Sequence, residues 1–353
     1  MKILITGIAG FAGRTIASEF LKYFSEIEIF GFDNLSRAGS ECNLQSLYSI
    51  GVKLSRGDVR NASDLDSMPK VEWVIDCAAN PSVLAGLDGK VSSRQVMEHN
   101  LIGTINLLEY CKRHDAGLIL LSTSRVYSAD ALANLPVKEK EDAFRPKEGY
   151  TAQGISAKGI TEGFPTSAPI SLYGASKLAS EALILEYSEA IDFPVWINRC
   201  GVLAGAGQFG KADQGIFSYW IHSFREKKSL RYFGFSGSGL QVRDALHPRD
   251  LVSLIAEQMK DPKRSSSKVI NVGGGIENSM SLKQLSAWCQ NRFGPNLVIP
   301  SKKERQMDAP WIVIDNALAE EFWDWKHTTT LEQILEEIAQ HAENNPQWLN
   351  ISK

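Results

Sequence analysis

Short apolar runs alternate with longer amphipathic stretches over the first 125 residues of the chain. Residues 2–6 form a continuous apolar run, which is the pattern of a strand buried on both faces. Residues 14–24 place Ile16, Phe20 and Phe24 four positions apart, which predicts an amphipathic helix. Further strands are predicted at 28–32, 52–54, 73–77 and 118–122, and a further helix at 98–113. Strands that alternate with helices in this way imply right-handed crossovers and a parallel sheet.

The pattern weakens between residues 129 and 170, where prolines, glycines and charged side chains accumulate. We expect a long loop there, and loops of more than about 15 residues in a compact domain are usually functional or disordered. The segment is therefore a candidate lid over an active site. Beyond it, the periodicity predicts a helix at 173–189, strands at 194–198 and 269–272, and amphipathic helices at 281–293 and 331–342.

The strand at 269–272 is expected to rejoin the sheet of the first half. A length of 353 residues allows two domains, or one α/β unit that carries a lobe. The element pattern favours the second arrangement: an α/β domain of residues 1–200 plus 232–275, with a smaller, discontinuous C-terminal lobe of residues 201–231 plus 276–353. The lobe is expected to bind the substrate.

Composition narrows the function classes. The net charge is −3 and the hydrophobic fraction is 43%, so a polyanion-binding protein and a disordered chain are both disfavoured, and no nucleic-acid partner is expected. No apolar run approaches the roughly 18 residues of a membrane span. The five cysteines (42, 77, 111, 200 and 289) form no CxxC motif, and the six histidines show no metal-binding spacing. We therefore expect a cytoplasmic protein with no membrane association, no disulfides and no metal site.

A glycine-rich loop between the first strand and the first helix is the clearest candidate site. In such a loop Gly7 allows a sharp turn, Gly10 lets the backbone approach a pyrophosphate, and Gly13 lets the helix pack closely on the strand. Asp33 follows about 20 residues later, at the end of the second strand, where a carboxylate can accept hydrogen bonds from a ribose diol. The combination predicts a dinucleotide site on a doubly wound sheet of the Rossmann type.

The residues near Asp33 indicate which dinucleotide binds. A carboxylate at this position repels the 2′-phosphate of NADP and so favours NAD, although Arg37 is close enough in sequence to accommodate that phosphate. Asp58, after the third strand, can contact the adenine or act only as a turn residue, and the residues themselves leave both interpretations open.

A tyrosine and a lysine at helical spacing form the second candidate site. Tyr173 and Lys177 are four residues apart, which places both side chains on one helix face. An ammonium beside a phenol favours phenolate and lowers the pKa of the tyrosine, which makes it a usable acid/base. Residues 122–124, a Ser-Thr-Ser run, follow a predicted parallel strand at the sheet edge where ligands bind in such folds.

With these segments the chain resembles the extended short-chain dehydrogenase/reductases, specifically the nucleotide-sugar epimerases and dehydratases. The resemblance covers nearly the whole chain and is carried by TGIAGFAG at 6–13, GDV at 57–59, CAAN at 77–80, HNLIGTINLLE at 99–109, LLSTSRVY at 120–127, YGASK at 173–177, NRCGVLAGAGQ at 198–208, QVRDALHPRDL at 241–251 and RQMDAPW at 305–311. Two departures are Ser128, where the family usually has glycine, and Asn80, where glutamine or histidine often follows the paired alanines.

The resemblance implies a role for each matching position. It implies that Thr123, Tyr173 and Lys177 form the catalytic triad, and that Asn100 supports the proton network. The residues implied to bind NAD are Gly7, Gly10, Phe11, Ala12, Gly13, Asp33, Asn34, Arg37, Asp58, Val59, Ala78, Ala79, Asn100, Tyr173 and Lys177. Those implied to bind the nucleotide sugar are Ser124, Arg125, Gln208, Arg243, Arg305 and Asp308.

The resemblance also bears on the reaction. The 4,6-dehydratases carry an Asp-Glu pair directly after the triad threonine, whereas this chain has Ser124 and Arg125 there. Dehydration is therefore disfavoured, and epimerisation by oxidation and re-reduction is expected. Segments 33–37, 207–209, 213–215 and 241–244 are similar to those of the CDP-paratose 2-epimerase branch, which implies chemistry at C2 of a CDP-linked 3,6-dideoxyhexose.

Three alternatives stay open. The chain could be a UDP-sugar 4-epimerase, another nucleotide-sugar oxidoreductase of the family, or a non-catalytic NAD-sensing protein on the same fold. Such sensors typically lose the tyrosine or the lysine, and this chain keeps both. Helices 98–113 and 172–190 resemble the pair that forms a dimer interface in the superfamily, so a homodimer is expected.

Overall fold

The computed structural model describes residues 1–86, 92–212, 214–265, 267–305 and 307–351. Asp213 and Gln306, which belong to two of the segments that carry the family resemblance, lie outside these ranges. In chain order the strands are β1 (Lys2–Thr6), β2 (Glu28–Asp33), β3 (Lys53–Arg56), β4 (Trp73–Asp76), β5 (Gly117–Thr123), β6 (Val137–Lys140), β7 (Ala143–Pro146), β8 (Val195–Cys200), β9 (Val202–Leu203), β10 (Leu230–Tyr232), β11 (Val242–Leu246), β12 (Val269–Val272), β13 (Ser279–Ser281), β14 (Val298–Pro300) and β15 (Trp311–Ile312). The α-helices are α1 (Phe11–Tyr23), α2 (Leu44–Ser49), α3 (Ala62–Asp66), α4 (Ser93–Met97), α5 (Gly103–His114), α6 (Ala129–Ala133), α7 (Leu172–Ile191), α8 (Ile216–Arg225), α9 (Leu251–Lys260), α10 (Leu282–Phe293), α11 (Ala317–Trp323), α12 (Leu331–Asn344) and α13 (Trp348–Ile351).

The central sheet has seven parallel strands in the order β12-β8-β5-β4-β1-β2-β3. The chain runs outward from β1 to β3 and then returns to the other side of β1 with β4, so the strand order reverses between β1 and β4. Ligands of open α/β sheets bind outside the carboxyl ends of the strands at such a point. The predicted Rossmann-type, doubly wound α/β fold is confirmed, and β12 rejoins the sheet beside β8, as the sequence predicted.

Alternate residues of the strands bury opposite faces of this sheet. Ile3 and Ile5 pack into the layer that contains α1 and α9, whereas Leu4 packs into the layer with α5 and α7. All three side chains are fully buried, which explains why the first strand reads as a continuous apolar run rather than as an alternating one. The helix after the glycine loop begins at Phe11, three residues before the predicted start, because the loop opens directly into it.

The helix between β4 and β5 is interrupted at one place. Helices α4 and α5 are joined by a π-helical turn, Glu98–Ile102, so that residues 93–114 form one helical stretch with an irregularity in the middle. Such π turns often occur at functional sites, because the extra residue redirects neighbouring side chains. Asn100, which the sequence analysis assigned to the proton network, lies in this turn and is buried.

The segment 129–170 is an ordered part of the fold rather than the irregular loop that the sequence predicted. Ser128 caps the N-terminus of α6, and strands β6 and β7 form an antiparallel hairpin. Ile160 pairs with Ile314, and Leu132 and Phe164 join a buried cluster around β15. The segment therefore packs against β15. Its residues do not line the main cavity of the molecule. The structure does not support its interpretation as a lid.

A second group of elements forms at the carboxyl edge of the central sheet. Strand β11 pairs with β9, β13 and β15, and helices α8, α10 and α12 pack around a separate apolar cluster. The expected boundaries of a discontinuous lobe stay a prediction; within them, β11 lies in this second sheet while α9 packs against the central one. Across the described ranges, no helix combines the length and apolar character needed to cross a membrane.

Candidate active site

The glycine loop between β1 and α1 is shaped by close backbone contacts. Gly7 has a φ of 61°, and a Cβ there would lie 2.8 Å from the amide nitrogen of Ala78. A Cβ on Gly13 would lie 2.4 Å from the carbonyl oxygen of Gly7, so the first turn of α1 can sit on the strand only if residue 13 is glycine. The N–H of Gly10 donates to the carbonyl of Gly7 at 3.0 Å and closes the turn. The loop thus directs its amides and the N-terminus of α1 toward the sheet edge, as phosphate binding requires.

Asp33 connects the end of β2 to this loop. Its carboxylate accepts hydrogen bonds from the N–H of Ala9 at 2.9 Å and from the N–H of Leu35 at 2.8 Å. Burial raises the pKa of Asp33, and the two backbone donors act in the opposite direction. The carboxylate therefore both fixes the loop and lines the cavity in which the expected ribose would lie.

Asp58 acts beside Asn34 rather than in the cavity. Its carboxylate accepts a hydrogen bond from the Asn34 amide at 2.9 Å and from Arg60 Nη2 at 2.7 Å. Although partial burial raises the pKa of Asp58, the hydrogen bonds from Arg60 and Asn34 outweigh it and hold the pKa well below its usual value. The neighbouring Val59 lines the cavity, whereas Asp58 does not, so Asp58 orders the loops that the cofactor would contact.

The predicted catalytic residues meet where β5 ends and α7 begins. Tyr173 lies in the first turn of α7, whose N-cap Ser171 accepts a hydrogen bond from the N–H of Gly174 at 3.0 Å. The Tyr173 phenol is hydrogen-bonded to Thr123, the last residue of β5. Lys177 follows one turn later on α7 and is 2% exposed. The structure therefore places Tyr173 beside Thr123, with Lys177 buried one turn further along α7, and the assignment of the three as a catalytic triad stays a prediction.

The charge state of Tyr173 differs from the sequence expectation. Burial raises the pKa of Tyr173 to about 12, and the hydrogen bond with Thr123 and the positive charge of Arg125 lower it only in part. The sequence analysis predicted a lowering of this pKa by Lys177, whereas the net shift of the Tyr173 pKa is upward. The cause is physical: a phenolate in a buried site loses its hydration, and that loss outweighs the nearby cation.

Asn100 links the catalytic helix to the end of β4. Its side-chain oxygen accepts from the N–H of Asn80 at 2.8 Å, and its amide donates to the Asn80 carbonyl at 3.1 Å and to Ser176 Oγ at 2.9 Å. Ser176 lies between Tyr173 and Lys177 on α7. Asn100 does not line the cavity. Its hydrogen bonds instead fix the position of α7 relative to the segment that follows β4.

Three of the predicted substrate residues, Arg243, Arg305 and Asp308, line the same cavity. Arg243 donates to Asp308 Oδ1 at 3.1 Å and to the carbonyls of Val242 and Ala309 at 2.7 and 2.9 Å. Gln241 donates to the other oxygen of Asp308, Oδ2, at 3.1 Å. Asp308 thus holds the Arg243 guanidinium in place, in addition to lining the cavity.

One continuous cavity of about 760 Å³ joins the two sets of residues. This volume lies in the upper half of the range of about 300–1,000 Å³ that is typical of small-molecule sites. The predicted residues that line it are Gly7, Gly10, Phe11, Ala12, Asp33, Asn34, Arg37, Val59, Ala78, Ala79, Thr123, Ser124, Arg125, Tyr173, Gln208, Arg243, Arg305 and Asp308. The predicted residues that lie behind this lining are Gly13, Asp58, Asn100 and Lys177.

The shape and charge of the cavity fit a dinucleotide. The glycine loop leaves no room for side chains at Gly7 and Gly13, and the N-terminus of α1 supplies free N–H groups for a pyrophosphate. Asp33 lines the cavity at the end of β2, where an acidic residue could accept hydrogen bonds from a ribose diol. The residues present therefore fit NAD: the glycine loop would hold the pyrophosphate, and Tyr173 would lie at the nicotinamide end.

The sequence did not predict the contacts of Arg37 with Phe209 and Gln214, which join two loops at the cofactor end of the cavity and are called the clasp below. Arg37 donates to the carbonyl of Phe209 at 2.5 Å and to Gln214 Oε1 at 2.7 Å, so the loop after β2 is joined to the loop before α8. Phe209 stacks on Trp348 of α13 with ring centroids 5.1 Å apart. The guanidinium that could have met a 2′-phosphate is therefore bound by protein oxygens, which agrees with a preference for NAD over NADP.

Two buried charges behind the triad were also missed. Glu181 of α7 and Arg199 of β8 form an ion pair of 2.7 Å, and Ser122 donates to the same carboxylate. The sequence signal was weak, because a glutamate eight residues after Tyr173 looks like a solvent-facing helix residue. A clue was available in Arg199, which lies in a strand of mostly apolar residues and therefore needs a buried partner.

Comparisons with known proteins agree with this geometry. Residues 3–273 match the model of the NAD dependent epimerase/dehydratase family. The chain is 28% identical to a CDP-paratose 2-epimerase of Salmonella typhi over 336 residues, which cover 92% of this chain and 94% of that protein.

Solved structures extend the comparison. A UDP-glucuronic acid 4-epimerase of Bacillus cereus, solved with UDP-glucuronic acid and NAD, superposes with a TM-score of 0.75 and 25% identity over 98% of this chain and 99% of that one. A dTDP-glucose 4,6-dehydratase double mutant of Streptomyces venezuelae gives a TM-score of 0.80 at 20% identity and full coverage of both chains, which shows the shared fold alone. The NAD cofactor expected from the sequence is confirmed at the level of the family. The protein is an enzyme of the NAD-dependent epimerase/dehydratase family, to which its chain belongs.

Proposed function

We propose that the protein is a nucleotide-sugar epimerase, which oxidises one sugar carbinol transiently and reduces it again on the opposite face. The observation that carries the proposal is the turn after β5, where Thr123 is followed by Ser124 and Arg125. A dehydratase needs an acid and a base at the sugar to remove water, and this turn supplies neither. Epimerisation needs only proton transfer at one oxygen and a cofactor that stays bound.

The proton transfer is assigned to Tyr173. When bound, NAD supplies the reversible two-electron oxidation of the carbinol carbon. In its phenolate form Tyr173 accepts the hydroxyl proton during oxidation and becomes a neutral phenol, which returns the proton during reduction; its side chain lines the cavity beside Thr123. Thr123 is assigned to orient the reacting oxygen, and Lys177, which is buried one turn further along α7, is assigned as the partner of Tyr173.

The substrate is proposed to be a CDP-linked 3,6-dideoxyhexose that is inverted at C2. The similarity to a CDP-paratose 2-epimerase over 92% of the chain supports this choice. The nucleoside diphosphate is assigned to the end of the cavity that holds Arg243 and Arg305, since guanidinium groups match phosphate oxygens in geometry and charge.

A UDP-sugar 4-epimerase is the second candidate. The similarity in sequence and fold to a UDP-glucuronic acid 4-epimerase favours it, since that protein was solved with UDP-glucuronic acid and NAD. Both candidates use the same triad and differ in the nucleotide and in the carbon that faces Tyr173.

A substrate panel separates the two candidates. Protein with bound NAD is incubated with CDP- and UDP-linked sugars, and the stereocentres are followed by NMR. Inversion at C2 of a CDP-3,6-dideoxyhexose supports the first candidate, and inversion at C4 of a UDP-sugar supports the second. Formation of a 4-keto-6-deoxy product would instead contradict the epimerase proposal.

A matched pair of tyrosine variants tests whether the chain is an enzyme of this kind or only binds NAD. Tyr173→Phe is expected to abolish inversion and the transient absorbance of reduced nicotinamide. Tyr48→Phe, at a position that is 57% exposed, should leave both unchanged. If Tyr173→Phe retains full activity, the proposed mechanism fails.

The protein is also proposed to form a homodimer through the outer faces of α5 and α7. Ile102, Leu185 and Ile191 on these helical stretches leave 36–42% of their surface exposed, an apolar area that a second copy would cover. Light scattering at micromolar concentration should give twice the mass of the chain, and a monomer would contradict the proposal.

A further inference from the structure

Two separate stretches of the chain meet at the clasp and close the cavity there. Asn34 and Arg37 line the cavity from the loop after β2, whereas Gln208 and Phe209 line it from the segment between β9 and α8. The guanidinium of Arg37 donates to the carbonyl of Phe209, so the two stretches are in direct contact. A dinucleotide that is bound beside Asp33 can therefore leave on this side only after the clasp has opened.

Trp348 of α13 packs behind the clasp, because it contacts Phe209 and Gln208 but does not itself line the cavity. Its indole ring stacks on the ring of Phe209, with centroids 5.1 Å apart and planes 15° apart. Its Nε1–H donates to the carbonyl of Gln208 at 3.0 Å. Trp348 is 7% exposed and Phe209 is 3% exposed, so the stack is buried. The backbone at 208–209 is therefore held from behind by a ring contact and by a hydrogen bond.

Further packing fixes α13 against the rest of the molecule. The ring of His341, on α12, meets the indole of Trp348 edge to face at 4.7 Å between centroids. Burial lowers the pKa of His341 to about 4, so its imidazole is neutral at pH 7 and packs as an uncharged ring. A Cβ on Gly39 would lie 2.7 Å from Ile351 Cγ2 and 2.8 Å from the ring of Phe209. The loop after β2 therefore contacts α13 directly, on the same side as the clasp.

Two other hydrogen bonds of the segment between β9 and α8 are local. The side-chain amide of Gln208 donates to the carbonyl of Leu203 at 2.7 Å, and the hydroxyl of Ser218 donates to the carbonyl of Gln208 at 2.9 Å. Leu203 ends β9 and Ser218 lies in the first turn of α8, so both partners belong to the elements that the segment connects. Trp348, in contrast, is 140 residues away from Gln208 in sequence and attaches the segment to a different part of the chain.

We propose that Trp348 is a positioning residue for the cofactor: it holds Phe209 and the carbonyl of Gln208 in place and so keeps the clasp closed while NAD is bound. The inference rests on the proposed epimerase function, in which one bound cofactor takes two electrons from the sugar and then returns them. Release of the reduced cofactor between the two half-reactions would remove these electrons and leave a keto sugar. Retention of the cofactor is therefore a requirement of the reaction, and Trp348 acts on it through Phe209.

The rate of NAD release tests the proposal without any sugar. NAD-bound protein is mixed with an excess of a fluorescent NAD analogue, and the displacement is followed over time. Trp348→Ala removes both the stack and the hydrogen bond and should accelerate NAD dissociation about 10- to 100-fold. Trp348→Phe keeps a stacked ring and should restore most of the retention. Trp323→Ala is the matched control, since Trp323 is 5% exposed and does not line the cavity, and it should leave the rate near that of the wild type.

A double variant tests whether Trp348 acts through the clasp. If it does, Arg37→Ala alone and Arg37→Ala combined with Trp348→Ala should release NAD at similar rates, because the clasp is already open in both. Effects that multiply would overturn the proposal, as would an unchanged rate in Trp348→Ala. Equal acceleration by Trp348→Ala and Trp323→Ala would also overturn it, because the cause would then be a general loss of stability. If Trp348→Ala shows no cooperative melting transition, Trp348→Leu takes its place with the same expected rates.

Turnover with an active sugar gives the second readout. Trp348→Ala should lose activity in the course of the reaction and release keto sugar together with reduced cofactor, and added NAD should restore the activity. Stable turnover, or a loss of activity that added NAD does not restore, would overturn the proposal. Because the dissociation experiment needs no sugar, the assignment of Trp348 can fail while the epimerase proposal stands. Equally, a failure of every sugar to react would contradict the epimerase proposal and leave the measured NAD release rates unaffected.

Discussion

The carboxylate of Glu181 accepts hydrogen bonds from Arg199 through both Nε and Nη2, at 3.1 and 2.7 Å. The two residues are 2% and 8% exposed, so the pair is buried between α7 and β8. Ser122, directly before Thr123, donates to the same carboxylate. One ion pair therefore joins the catalytic helix, the catalytic strand and the strand beside it.

Removal of the negative charge of Glu181 should destabilise the folded protein, because the guanidinium of Arg199 then stays buried without an anion. Glu181→Gln is expected to lower the free energy of unfolding by about 3 kcal/mol, because Arg199 is left buried without an anion. Glu257→Gln removes a surface partner of Lys260 and should cost about 1 kcal/mol or less. Urea unfolding of both variants measures the difference, and equal small losses would show that the buried pair does not stabilise the fold.

A methyl group at Gly174 should separate the catalytic residues. A Cβ at this position would lie 2.2 Å from the carbonyl oxygen of Arg125, so α7 must move away from the turn that follows Thr123. Gly174→Ala is expected to lower kcat about 100-fold, since displacements of about 1 Å have effects of this size. Gly163→Ala is the control, because the nearest atom to its Cβ would be 3.7 Å away. Steady-state kinetics of both variants provide the measurement; similar activity would contradict the packing argument.

The buried carboxyl of Asp244 should make stability depend on pH. Burial raises its pKa from 3.8 to about 6, while hydrogen bonds from the N–H groups of Ile314 and Gly275 partly oppose the rise. Because the pKa is higher in the folded protein, the neutral form is favoured there. Its stabilisation is fully present below about pH 4 and is lost as the pH rises through 6.

Asp244→Asn is expected to remove this dependence, since the amide cannot ionise. The free energy of unfolding of the variant minus that of the wild type should therefore increase by up to about 2 kcal/mol between pH 4.5 and pH 7. Urea unfolding at the two pH values tests this. A stability difference between variant and wild type that does not change with pH would show that Asp244 does not titrate in this range.

The contacts of Arg37 should slow the release of the cofactor. They join the loop after β2 to Phe209 and Gln214 above the cofactor end of the cavity. Arg37→Ala is expected to accelerate NAD dissociation about tenfold or more, as measured by displacement of bound NAD with an excess of a fluorescent analogue. Arg56→Ala, at the exposed end of β3, is the control. Identical dissociation rates in the two variants would show that the clasp does not retain the dinucleotide.

The sequence predicted the central sheet and the helix that carries Tyr173 and Lys177 because local signals specify both. A strand buried on both faces reads as an apolar run, and the spacing of Tyr173 and Lys177 follows from the helix period. The hairpin of β6 and β7 was missed because its residues are mostly polar and because Glu141 and Asp142 form the turn with positive φ values, without the glycine that usually marks it.

Long-range contacts explain the other differences. Glu181 and Arg199 lie on different elements, α7 and β8, and only the packing of α7 on the sheet shows that they form a pair. The pKa of Tyr173 was mispredicted for a related reason: the spacing of Lys177 is visible in the sequence, whereas the burial of the phenol is not.

The central claim is that one carbinol is oxidised and re-reduced while Tyr173 moves the hydroxyl proton. It is tested most directly with a CDP-3,6-dideoxyhexose that carries deuterium at C2, incubated with the NAD-bound protein in ordinary water and followed by NMR. We expect C2 to invert with the deuterium retained at C2 of the product, and no inversion with Tyr173→Phe. Inversion with loss of the deuterium to water would contradict the account, because it would mean that the carbon-bound hydrogen leaves as a proton.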